Sequence, residues 1–283
     1  MSSRVVRVGV VKAGCIGTLP LLEFLLDERA DREDIDVRTA GSGAKLGPEQ
    51  CREAAGWVIG QKPDLVILVG PAQQAPGPAE ARRMLAEAGI PTVVISDGPT
   101  AKMAKELEEA GLGYIVVPAD SMIGARRELL DPTEMALYNS DVIRVLAATG
   151  VLRAVLRELD AVIQALKRGE RPRLPRVVVD KEVAVEAAGF RNPYARAKAM
   201  AAHEAARHVA ELDTEGCFKV QEWTRYVPLT AAGHELMRAA ARLADEAREI
   251  EKSGDTVLRE PHFKDGSPGT KRALMEKPKK AEG

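Results

Sequence analysis

The sequence predicts an α/β fold: an open, mostly parallel, Rossmann-like sheet, an appended α-helical region and a small C-terminal β segment. Three observations carry this. Five short runs of β-branched or apolar residues recur over positions 4–117. Segments with helical period separate them. Beyond residue 130 the strand runs thin out, and apolar residues return every three or four positions instead.

In chain order, the first run spans 4–11 and is rich in valine; the others span 35–40, 64–70, 91–96 and 113–117. Several, most clearly 64–70, are apolar on both faces, as parallel strands covered by helices on both sides must be. Helical periods fill 19–26, 49–59, 79–88 and 100–110. Strand–helix alternation with short links implies right-handed crossovers. Val151, Leu152, Val155, Leu156, Leu159, Val162, Ile163 and Leu166 then mark one long amphipathic helix, stopped by Gly169. An alanine-rich helix is expected over 193–212, with Pro193 in its first turn, and another over 229–251. Residues 176–179 form a short strand, and 217–223 a second possible one. The tail from Thr256 mixes proline, glycine and charge, and reads as a small hairpin or an arm. The expected division is an α/β cofactor-binding domain over 1–130, a helical region over 131–253 and a C-terminal arm over 254–283.

The balance of 41 Lys+Arg against 42 Asp+Glu leaves no global field to draw the chain onto nucleic acid or an anionic membrane. No stretch of 18 uninterrupted apolar residues occurs, so no membrane span is expected. Met1-Ser2-Ser3 runs straight into a strand pattern without a leader, and the expected location is the cytoplasm. Cys15, Cys51 and Cys217 are odd in number and far apart, which disfavours disulfides and zinc fingers. Only ten residues are aromatic and two are asparagine, against 43 alanines. The core must therefore be built from Ala, Val, Leu and Ile. Few asparagines among many charged groups point to a thermophilic source.

Ligands of open parallel sheets bind at the carboxyl ends of the strands. All five loops there are built from small residues, which let backbone amides approach a ligand. In the first, Lys12, Gly14 and Gly17 stand where the dinucleotide fingerprint needs three glycines, and no acidic residue ends the second strand. This disfavours NAD and leaves room for another redox cofactor. Lys12 suits a phosphate or carboxylate. Lys12, Gly14, Ile16, Gly17, Thr18, Gly70, Pro71 and Ala72 are the cofactor-binding candidates. Lys12, Lys45, Arg126, Arg127 and Arg225 form a scattered basic set for anionic tails. His203 and His208 lie five apart, on different helix faces, and do not make a zinc site; no metal is expected.

The segments 8–17, Asp97-Gly98-Pro99-Thr100, 190–195 and Glu222-Trp223-Thr224-Arg225-Tyr226 together resemble the archaeal family of methylenetetrahydromethanopterin dehydrogenases that use the deazaflavin coenzyme F420. The resemblance runs along nearly the whole chain. It implies reversible hydride transfer between the methylene carbon of the pterin and F420, a methanogen or related archaeon, and a homo-oligomer, a hexamer. Direct hydride transfer needs no protein nucleophile, only two rings held close with water excluded. The methenyl product is a cation that a nearby carboxylate stabilises. Asp97 and Asp120, at two strand ends, are the catalytic candidates, with helix capping as the competing reading. Gly98, Thr100, Met122, Arg126, Arg127 and Arg225 are the substrate-binding candidates. With so few aromatics, the rings are expected to meet surfaces such as Ile16, Pro71 and Met122. An NAD(P)- or flavin-linked dehydrogenase with an atypical loop, and a non-enzymatic nucleotide-sensing module, remain open at this point.

Overall fold

The computed structural model describes residues 4–26 and 31–280. The chain forms two compact units. One comprises residues 1–117, 155–178 and 258–283; the other comprises 118–154 and 179–257.

The first unit holds a six-stranded sheet of β1 (Val6–Lys12), β2 (Ile35–Gly41), β3 (Leu65–Val69), β4 (Thr92–Asp97), β5 (Gly113–Val117) and β6 (Arg176–Val178), in the order β2-β1-β3-β4-β5-β6. Every pairing is parallel. The central strands β3, β4 and β5 are buried at every position, which is why their runs show no polar alternation. The helices α1 (Thr18–Leu26), α2 (Pro48–Gly60), α3 (Pro76–Glu87) and α4 (Ala104–Glu109) alternate with the strands. Val58, Leu68, Leu85, Val94 and Leu107 belong to one core cluster of this unit. Register aligns Lys12 with Gly41 and Val69, and Asp97 with Val117, along one carboxyl edge.

The helix expected over 100–110 divides into a 3-10 turn, Gly98–Met103, and then α4. The tail makes a small hairpin: β7 (Gly269–Thr270) pairs antiparallel with β8 (Lys279–Lys280). Two of its lysines are engaged locally, Lys280 with Asp265 at 2.7 Å and Lys271 with the carbonyls of Leu274 and Glu276.

The second unit is helical. It contains α5 (Pro132–Thr149), α7 (Lys181–Ala188), α8 (Pro193–Thr214) and α9 (Trp223–Ser253), while α6 (Val151–Lys167) starts here and ends in the first unit. Ala195, Ala199, Ala202 and Ala206 of α8, and Ala240, Ala244 and Ala247 of α9, are all fully buried. Alanine stripes at this spacing let packed helices approach closely.

The possible strand at 217–223 does not form. Those residues make a π turn, Glu215–Lys219, and the start of α9. The reason is exposure: Phe218 and Trp223 are 75% and 63% exposed, so the alternation has no face to bury. Helix α9 therefore starts six residues before the expected 229 and carries Pro228 inside it. Among the described residues, no helix is long and apolar enough to cross a membrane.

Candidate active site

The strand order reverses between β1 and β3, and the crevice outside that point is where open α/β sheets bind ligands. Two of the small-residue loops flank it. After β1, Gly14 takes a left-handed φ of 76° and donates its amide to Ser42 Oγ at 3.0 Å. A side chain there would meet Leu46 at 2.8 Å. After β3, a Cβ on Gly70 would lie 1.9 Å from the Ala13 carbonyl oxygen. The two loops thus cross in backbone contact, which only glycine at position 70 permits.

Lys12 closes β1, and its ammonium pairs with Glu23 of α1 at 2.8 Å. Thr18 begins α1 and is buried, as are Ile16 and Pro71. The Ile16 and Pro71 side chains are thus largely covered by protein. Lys45, Arg127 and Arg225 are exposed.

Asp97 ends β4 and is 6% exposed. Its Oδ1 accepts the Ala72 amide at 3.2 Å and the Ser96 hydroxyl at 3.1 Å. Thr100 donates to Ser96 at 2.8 Å, extending the chain of bonds. Burial pushes the Asp97 carboxyl above its usual range, and the Ala72 amide and Ser96 hydroxyl only partly offset this. Although it precedes the 3-10 turn at Gly98, its side chain makes no capping bond. Capping therefore does not explain it.

A cavity of about 620 Å³ in this unit lies elsewhere. Ile90, Pro91 and Leu112 in its wall precede β4 and β5, so it opens at the amino edge of the sheet.

In the second unit, residues 118–130 form a strap. Asp120 is fully buried, whereas Met122 is 42% exposed. Arg126 donates to the Gly216 carbonyl at 2.9 and 2.7 Å and to the Val220 carbonyl at 3.0 Å. Its guanidinium lies 4.0 Å from the centre of the Tyr226 ring. Arg126 thus holds one carbonyl of the π turn and that of Val220 just after it, a use that spacing alone does not reveal.

The family model described as methylene-5,6,7,8-tetrahydromethanopterin dehydrogenase matches residues 6–279. The chain belongs to that family. The F420-dependent methylenetetrahydromethanopterin dehydrogenase of Archaeoglobus fulgidus is 56% identical over 279 residues, covering 97% of this chain and 99% of that one. The same enzyme from Methanothermobacter thermautotrophicus is 54% identical over 274 residues, with the same coverage. A solved F420-dependent methylene-tetrahydromethanopterin dehydrogenase, in complex with methylene-tetrahydromethanopterin and coenzyme F420, superposes with a TM-score of 0.94. It is 48% identical, and the match covers 97% of this chain and all of that one.

Within this methylenetetrahydromethanopterin dehydrogenase family member, one polar group escaped the sequence reading. Tyr138 of α5 donates to the Ser121 carbonyl at 3.1 Å and the Met122 carbonyl at 3.3 Å. His234 of α9 lies against Tyr138 with ring centroids 4.6 Å apart, and its Nδ1 is 2.7 Å from Glu134. Asp213 of α8 completes the group. Tyr138, Asp213 and His234 come from three different helices, so no local motif joins them. His203 and His208 stay apart in role: His203 is buried against the Val179 carbonyl at 3.1 Å, and His208 is exposed beside Glu211. Among the described residues, no group of three His, Cys, Asp or Glu could hold a metal ion.

Proposed function

We propose that this chain transfers a hydride reversibly between methylenetetrahydromethanopterin and coenzyme F420, giving the methenyl cation and the reduced coenzyme. The observation that carries the reading is the match of nearly the whole chain to enzymes of this one activity, including a complex holding both ligands. F420, when bound, supplies a two-electron acceptor that exchanges hydride with the substrate.

The residues at the switch point fit such a group. Gly14 and Gly70 stand where a side chain would collide with neighbouring loops, so backbone alone lines the crossing. Gly43, with a φ of 66°, has nothing within 4 Å of the place a Cβ would occupy. We assign Lys12, Gly14, Ile16, Gly17, Thr18, Gly70, Pro71 and Ala72 to the coenzyme. Ile16 and Pro71 serve as buried support behind the loops. Lys12 offers a cation for an anionic tail in competition with Glu23.

Gly98, Thr100, Met122, Arg127 and Arg225 are assigned to the pterin. Arg126 contributes through the backbone that it holds. Asp97 and Asp120 stabilise positive charge as the methenyl cation forms, because a fixed carboxylate in a site without water needs no reorganisation. No residue forms a covalent bond to substrate. The resemblance also carries a homo-oligomer, a hexamer, a cytoplasmic location and a thermophilic source.

A spectrophotometric assay tests the reading. Mixed with the methylene pterin, the protein should bleach the absorbance of oxidised F420 and leave NAD and NADP unreduced. Reduction of NAD or NADP in place of F420 would favour the atypical-loop dehydrogenase.

A further inference from the structure

Beneath the strap of residues 118–130 lies a carboxyl group that lacks an ordinary partner. Asp213, one residue from the end of α8, is 5% exposed, and neither oxygen completes a hydrogen bond. Backbone closes on it from two other elements. A Cβ on Gly233 of α9 would lie 2.3 Å from its Oδ1, and one on Gly124 of the strap would lie 2.7 Å away. Any side chain at either position would displace the carboxyl group.

The groups around it come from every neighbouring element. The Tyr138 hydroxyl of α5 lies near Asp213, and Asp120 of the strap is a second carboxyl group near that hydroxyl. Cys217 of the π turn feels both Asp213 and Arg126. His234 of α9, paired with Glu134, stacks on Tyr138 and leaves its buried Nε2 without a hydrogen bond. The strap has further anchors in the same helices. Tyr138 holds the Ser121 and Met122 carbonyls, and Ser121 Oγ donates to the Ala206 carbonyl at 2.7 Å.

We propose that Asp213 is a positioning residue: wedged between Gly124 and Gly233, it sets the seat of the 121–126 strap and so the placement of Met122 for the pterin. The inference rests on the reading of that strap as part of the pterin site. Asp213 acts in its uncharged form. Burial pushes its carboxyl up to about 7, an effect that the nearby Tyr138 hydroxyl and Gly124 amide only partly offset without completing a hydrogen bond to it. An ionised, unpaired carboxylate here would be strongly disfavoured, so ionisation shifts the strap.

The test measures KM for the pterin, KM for F420 and kcat across neutral pH for Asp213→Asn, Asp213→Ala and Met122→Ala in the full-length protein. Circular dichroism checks the fold. Asp213→Ala should raise the pterin KM about tenfold with the F420 KM within about twofold. Asp213→Asn, which keeps the shape without the charge, should retain wild-type constants and abolish a rise in pterin KM above about pH 7. Met122→Ala should also raise the pterin KM. If Met122→Ala raises it while folded Asp213→Ala and Asp213→Asn match wild type at every pH, the positioning role is overturned and the strap reading stands. If Met122→Ala leaves the pterin KM unchanged, the strap reading fails and the inference falls with it.

Discussion

The backbone amide of Ala72 donates to the Asp97 carboxylate at 3.2 Å. This bond ties the loop after β3 to the end of β4 and holds Ala72 at a φ of 50°, a conformation that non-glycine residues rarely adopt. Replacing Asp97 with Asn retains an acceptor oxygen and removes the charge. We expect kcat to fall on the order of tenfold to a hundredfold, with the melting temperature within a few degrees of wild type. Steady-state kinetics alongside thermal melts check this. Wild-type rates in both Asp97→Asn and Asp120→Asn would remove carboxylate stabilisation from the account.

The pH profile supplies a second check on Asp97. Its carboxyl is raised by burial, so it takes up a proton at a higher pH than an ordinary carboxyl group. Turnover should therefore decline early on the acid side, and Asp97→Asn should flatten that limb. Its contribution to stability runs the other way. The folded state binds the proton more tightly than the unfolded one, so this contribution is complete at low pH and is lost as pH rises through the folded value. A profile in which turnover and stability fell together on the acid limb, and Asn left both unchanged, would contradict the assignment.

Gly70→Ala tests the crossing of the loops after β1 and β3, which we assign to the coenzyme. The added methyl would meet the Ala13 carbonyl oxygen at 1.9 Å, backbone against side chain with no flexible end to yield. We expect a loss of about 1–3 kcal/mol in chemical denaturation and a weakened F420 affinity. By contrast Gly43→Ala meets no atom within 4 Å and pays only for its left-handed backbone.

The first unit carries a buried ionic latch. Asp34 is fully buried, with Arg32 at 3.0 Å and Lys167 of α6 at 3.1 Å, and a Cβ at Gly266 of the tail would collide with its carboxylate. Burial raises this carboxyl, but the Arg32 and Lys167 cations outweigh burial and hold it below the usual range. A depressed carboxyl contributes stability above its unfolded value, and that stability is lost as pH falls through the lower folded value. Asp34→Ala removes the carboxylate between two buried cations, leaving Arg32 with Asp160 at 3.7 Å and Lys167 with the Asp265 carbonyl at 2.6 Å, and should cost about 3–5 kcal/mol. Urea melts at neutral and acid pH should show the difference between wild type and variant shrinking in acid.

Lys12 and Glu23 form an ion pair at 2.8 Å whose partners are 28% and 44% exposed, so it is worth at most about 1 kcal/mol of stability. Lys12→Ala should leave the melting temperature nearly unchanged while weakening F420 binding about tenfold. Glu23→Gln should tighten binding by freeing the ammonium. Isothermal titration with F420 reads both.

The sheet was legible because its central strands are apolar on both faces, a pattern that 64–70 shows without ambiguity. Helices α5 and α7 carry their signals in their caps and not in their periodicity. Asp131 precedes Pro132 and caps the Glu134 amide at 2.7 Å, and Asp180 caps the Val183 amide at 2.9 Å before Gly189 ends α7. The π turn was not legible, since alternation at 217–223 mimics a strand and only the exposure of Phe218 and Trp223 reveals otherwise. The small-residue loops were found by the strand-end rule. The roles of Arg126 and Asp213 were hidden because their partners, Gly216, Val220, Tyr138 and Gly233, lie in other segments and have no local spacing to betray them.

In the proposed reaction, hydride passes directly from the pterin methylene to F420 with no protein-bound intermediate. Methylene pterin carrying deuterium at both methylene positions, turned over in ordinary water with F420, tests it most directly by mass spectrometry of the reduced coenzyme. The account predicts one deuterium per reduced F420 and a slower rate with the labelled pterin. Reduced coenzyme carrying only solvent protium at the transferred position would contradict it.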